Sequence, residues 1–136
     1  MALLIGIALA LAVSLLVGWA AGFDRDRCFY PVVLMVVASY YALFAVMGGS
    51  AHALILESMA MMVFVAASLI GFRFSLWLVA AALAGHGIFD FFHAGLIANP
   101  GVPAWWPTFC GGYDVMAGAY LAWLLSRSGG QSRRVT

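Results

Sequence analysis

Five apolar runs, at roughly 2–22, 29–48, 51–71, 75–98 and 108–126, account for almost the whole chain, and only short polar breaks separate them. About 20 residues in a helix cross the hydrocarbon core of a bilayer. Inside lipid a backbone has no water to bond, so a single segment must satisfy its own N–H and C=O groups by forming a helix. The pattern predicts an all-α integral membrane protein: a compact bundle of five transmembrane helices in one domain, 1–126, followed by a polar cytoplasmic tail, 127–136. Composition closes off the soluble alternative. Of 136 residues, 66% are hydrophobic and 8% charged, with a mean hydropathy of +1.08. A soluble domain of that size leaves too much of its surface exposed to hide so many apolar side chains. A net charge of +1 gives no grip on a polyanion, so nucleic acid is not an expected partner.

The breaks carry the expected punctuation. Pro31 suits the first turn of the second helix, where its missing N–H costs nothing. Asn99-Pro100-Gly101 ends the fourth run, and Pro107 stands near the start of the fifth. The N-terminal run lacks the basic segment of a secretory signal and reads as a retained first helix. Orientation follows from six arginines and no lysine. Arg25 and Arg27 fall between runs one and two, Arg73 between three and four, and Arg127, Arg133 and Arg134 after five. With five spans all six lie on one side, which the positive-inside rule makes cytoplasmic. The N-terminus is then outside, the C-terminus inside, and the location a cell membrane crossed several times. Cys28 and Cys110 fall near opposite faces, too far apart for a disulfide.

Against this background the stretch GHGIFDFFHAG, residues 85–95, is anomalous. His86, Asp90 and His93 share ~60° of arc on one helical face. Glu57 and Asp114 are likewise inside apolar runs, where an ionisable group costs at least ~2.5–3.5 kcal/mol and marks a functional site by default. Counted from span midpoints near 61, 87 and 117, all three acids sit ~5 Å to the outer side of the midplane. Ser50, Glu57, Met61 and Phe64 share one stripe, and Cys110, Asp114 and Ala117 another. Gly85, Gly87, Gly111, Gly112 and Gly118 would let neighbouring helices come close.

No arginine lies within the spans to neutralise these carboxylates, and buried charges do not remain unpaired. The acids hold protons, the histidines become cationic, or a metal fills the pocket. Carboxylate plus imidazole is a ligand set for a divalent transition metal, Zn²⁺ or Fe²⁺ ahead of Mn²⁺ or copper. The expected ligands are His86, Asp90, His93 and Glu57, with Asp114 and Glu57 as catalytic acid or base. His52, Cys110 and Tyr113 are secondary candidates. Haem is disfavoured, because His86 and His93 on one helix cannot face each other across one ring. Met59, Met61 and Met62 read as packing rather than copper ligands. Trp105, Trp106 and Phe109 form an aromatic cluster at the outer interface, an anchor or a lid.

The expected function is a metal-dependent intramembrane enzyme acting on a lipid-soluble substrate through an outward-opening His/Asp/Glu pocket. Its hydrolase, isomerase or oxidoreductase character is left open. The alternatives are a proton or metal-ion conduit working as a homo-oligomer, and an accessory subunit whose polar knot is structural.

Overall fold

A computed structural model of the chain describes residues 1–20, 22 and 27–132. The readings placed on Arg25, Arg133 and Arg134 lie outside these residues. The described chain is all-helical. Its elements are α1 (Ala2–Val13), which runs on as a π-helical segment Ser14–Ala20, α2 (Phe29–Met47), α3 (Ala51–Phe74), α4 (Leu76–Leu96) and α5 (Trp106–Ser132). Each overlaps one apolar run. The helices α2, α3 and α4 are long and apolar enough to cross a membrane, and the first apolar helix is shorter. The fifth helix begins near the expected position but continues to Ser132, beyond the apolar run and into the polar tail.

Local chemistry explains the boundaries. Gly48 ends α2, and Gly49 takes a φ of 66°, a conformation that side chains with a Cβ rarely adopt. Ser50 then caps α3, its hydroxyl accepting from the Ala53 N–H at 3.2 Å. A single extended residue, Ser75, separates α3 from α4. Such short connections leave consecutive helices antiparallel neighbours. On the far side of the bundle, Arg73 lies in the last turn of α3, where a cation suits the helix dipole. Arg27 reaches across to donate to the Phe72 carbonyl at 3.0 Å.

The tightest seam is α4 against α5. A Cβ on Gly87 would stand 2.8 Å from the Gly111 carbonyl oxygen, and one on Gly118 would stand 2.8 Å from that of Ala80. The pairing of 87 with 111 and 80 with 118 makes the two helices antiparallel. That brings Arg127 to the end of the bundle that holds Arg27 and Arg73. Gly85, in contrast, faces open space and takes no part in the approach. At the opposite end, Gly101 lies against Gly48 and Phe44, so the α4–α5 loop seats on the α2–α3 turn.

The burial pattern is inverted relative to a soluble protein. Glu57, His86, Asp90, His93 and Asp114 are all at most 2% exposed, whereas Met47, Phe74, Leu16 and Phe92 lie open. An apolar exterior around a polar centre is what a lipid environment selects. Met59 and Met62 belong to that exterior and not to the core, which differs from their reading as core packing.

The glycine seam generates a direct expectation. Gly111→Leu should destabilise the bundle by about 1–3 kcal/mol through forced separation of α4 and α5, measured by equilibrium unfolding in detergent. Gly85→Ala should leave the unfolding midpoint unchanged or slightly raised.

Candidate metal centre

The helix α4 presents His86, Asp90 and His93 along one buried face. The face was legible from spacing; the partners were not. His86 and His93 are seven residues apart, which is ~10 Å along the axis. Over that rise they meet different neighbours.

At the lower level α5 supplies the partners. His86 Nδ1 lies 2.7 Å from Asp114 Oδ2 and 3.6 Å from Asp90 Oδ2. Cys110, one turn before Asp114 on the same face of α5, places Sγ 3.6 Å from Asp114 Oδ2. Ligand atoms of His86, Asp90, Cys110 and Asp114 all lie within 4.8 Å of one another, and all four residues are buried. Asp90 keeps both carboxylate oxygens, and Asp114 keeps Oδ1, without a hydrogen-bond partner. The aromatic rings of Phe64 and Tyr41 wall the imidazole of His86, at centroid separations of 4.6 and 6.3 Å. This group has the donor types and the compactness to hold a metal ion.

At the upper level α3 supplies the partner. His93 Nε2 lies 2.7 Å from Glu57 Oε1. The same oxygen accepts from Asn99 Nδ2 at 2.9 Å, and Asn99 also donates to the Tyr41 carbonyl at 3.0 Å. The Tyr41 ring stacks on the His93 imidazole at 3.9 Å, only 16° from parallel. One knot therefore ties α2, α3, α4 and the loop after α4. Asn99, expected to end the helix, lies beyond the last helical residue Leu96 and belongs to this knot. A polar side chain held against an apolar end by Pro-Gly was the only sequence signal for it.

The expected ligand set is thus divided. His86 and Asp90 converge as anticipated, joined by Asp114 and by Cys110. His93 and Glu57 stand outside the compact group, paired with each other. His52 is exposed at the start of α3. Tyr113 is half-buried beside the aromatic cluster. In that cluster, Trp106 packs edge-on against Tyr40 and Phe44 of α2, each at 5.0 Å, and docks the start of α5. Trp105 next to it is exposed.

No family model matches the chain, and none of the curated proteins or solved structures compared with it does either. The reading of this centre rests on its own geometry.

Loss of Glu57 leaves His93 Nε2 buried without its partner, and loss of His93 leaves Glu57 Oε1 with Asn99 alone, each a change of about 1–3 kcal/mol. Glu57→Ala and His93→Ala should each destabilise by that order. The double variant should cost clearly less than the sum, because the two act as one unit. Equilibrium unfolding of the four proteins in one detergent measures the coupling, and His52→Ala should be silent.

Proposed function

We propose that the chain crosses the membrane five times with its arginine-bearing end in the cytoplasm. Within it, the lower cluster holds one divalent transition metal for an intramembrane enzyme acting on a lipid-soluble substrate. The observation that carries this reading is the convergence of imidazole, thiol and two carboxylates, all buried, from α4 and α5. The 3.6 Å between Cys110 Sγ and Asp114 Oδ2 falls within the ~3.3–3.8 Å between ligands of a tetrahedral ion with bonds of ~2.0–2.3 Å. The 2.7 Å contact of His86 with Asp114 is a hydrogen bond, which would have to open for an ion to take the place of the shared proton. A thiolate beside imidazole and carboxylate favours Zn²⁺ or Fe²⁺ over Mn²⁺.

His86, Cys110 and Asp114 are assigned as ligands, which leaves a catalytic position open. A metal held by these residues would supply Lewis-acid chemistry, polarising a carbonyl or activating a water. Asp90, with both oxygens unengaged and one of them 3.6 Å from His86, is placed to take or return a proton. Glu57 and His93, first expected among the ligands, become the support that fixes the outer half of α4, and Asp114 moves from acid/base to ligand. Support for an enzyme over a conduit comes from the division of the polar residues into two separate groups, His86 with Asp114 and His93 with Glu57, in place of a continuous hydrogen-bonded chain.

Elemental analysis of protein purified in detergent without chelators tests this reading. One equivalent of Zn or Fe is expected in the wild type. It should fall below a tenth of that in His86→Ala and Asp114→Ala, and persist in His93→Ala. A folded wild type with no bound transition metal, also after incubation with Zn²⁺ or Fe²⁺, overturns the proposal.

A further inference from the structure

All four residues of the lower cluster are buried, so whatever reaches them from outside has to pass a closed wall. Two directions lead there. From the side, an apolar cavity of about 470 Å³ between α1, α2 and α5 ends at Cys110. Its walls are chiefly valine and aromatic side chains, which give a hydrated ion little in exchange for its water. The other direction starts at the α4–α5 loop and runs down the buried face of α4, past Asn99, Glu57 and His93.

Along this second direction the polar groups run from the surface inward. Asn99 is half-buried, and from Ile97 to Trp105 it is the one residue with an amide, hydroxyl or charged side chain. Its Nδ2 donates to the Tyr41 carbonyl at 3.0 Å and to Glu57 Oε1 at 2.9 Å, and its Oδ1 accepts from the Gly101 N–H at 3.2 Å. One side chain therefore ties the loop to α2 and to the first buried acid. Behind it, Glu57 keeps Oε2 buried without a partner. Asp90, which lies between His93 and His86 on α4, keeps both oxygens in the same condition. Carboxylate oxygens without donors thus stand at the upper level and again at the lower one. Oxygens of this kind are what a cation takes in place of its water. Release of the Asn99 amide separates the loop from Glu57 and from Tyr41 in one step.

We propose that Asn99 is the latch of an entrance at this end of the bundle. Through it small hydrated solutes reach the buried face of α4, and Glu57 is the carboxylate that meets a cation first. That a divalent metal is the species admitted rests on the reading of the lower cluster; the latch itself does not.

The metal-free, full-length protein in nanodiscs is treated with diethylpyrocarbonate, and tandem mass spectrometry reads the modification of each histidine over time. In the wild type, exposed His52 should react much faster than buried His93 and His86. Asn99→Ala should speed the reaction of His93 about tenfold, the order expected from one or two lost hydrogen bonds. Asn99→Ser, the milder variant, keeps a turn-forming hydroxyl too short to reach Glu57 and should act in the same direction. In both variants His93 should react ahead of His86, because the entrance meets it first. His93 unchanged in both variants overturns the latch. So does one common rate for His93 and His86, which is the mark of general loosening, and so does His86 reacting first. In a second arm the protein is loaded with Zn²⁺ and its loss to EDTA is timed. Loss should be about tenfold faster in the Asn99 variants at unchanged metal content, and Val33→Phe, which fills the side cavity, should leave it as in the wild type. Loss that is slowed by Val33→Phe and indifferent to Asn99 overturns the entrance. The two readings fail separately. His93 opened ahead of His86 in a protein that takes up no metal sinks the metal centre alone, and stoichiometric metal in a protein whose His93 ignores Asn99 sinks the latch alone.

Discussion

Carboxylates buried without a described arginine beside them are the constraint from which the rest of this structure follows. Glu57, Asp90 and Asp114 are almost fully enclosed, while Arg27, Arg73 and Arg127 are exposed. The compensation has to come from histidine, from a proton, or from a metal. The fold answers by setting an imidazole 2.7 Å from two of the three acids. The third, Asp90, is left with both oxygens unengaged beside His86. A buried carboxylate without a hydrogen-bond partner costs free energy, which makes Asp90 the most informative of the three.

That arrangement requires α4 to be packed on both sides at once. Towards α5 it needs backbone-to-backbone approach, and Gly87, Gly111 and Gly118 provide it by omitting the Cβ that would collide. Towards α3 it has the His93–Glu57 contact, the loop residue Asn99 and the Phe64 ring against His86, with Gly71 lying against Val79 further down. The two contacts have different characters. The α5 side brings together soft and hard metal donors around one point, while the α3 side closes on itself as a hydrogen-bonded knot that includes the stacked Tyr41 ring. A single helix face thus joins a compact group of metal-donor side chains at one level and a hydrogen-bonded knot at the next. The apolar cavity reaches the first level and not the second, since Cys110 is its point of contact with the cluster.

Much of this was legible before any tertiary information. The apolar runs located all five helices because hydrophobic length and backbone self-satisfaction leave little choice in lipid. Ser50, the Gly48-Gly49 pair and Asn99-Pro100-Gly101 marked ends because their conformational chemistry is local. The face shared by His86, Asp90 and His93, and that shared by Cys110 and Asp114, came directly from the 3.6-residue period. Depth along the axis was also readable, and it already separated His86 from His93 by about 10 Å. Angular agreement nevertheless made them look like one ligand set.

What the sequence determined by itself, then, was the all-helical apolar character of the chain, the positions of its helices and the side chains that share each helical face. These depend on interactions within a few turns of one segment. Only the tertiary structure decided which faces meet. It gave Asp114 and Cys110 to His86, and it gave Glu57 and Asn99 to His93. It also turned Met59 and Met62 outward and left a cavity between α1, α2 and α5. The physical reason is that helix partnering is set by which glycines allow close approach and by which short turns fold a helix back. Gly87 and Gly85 are indistinguishable in sequence, yet only one of them lies against a neighbouring backbone.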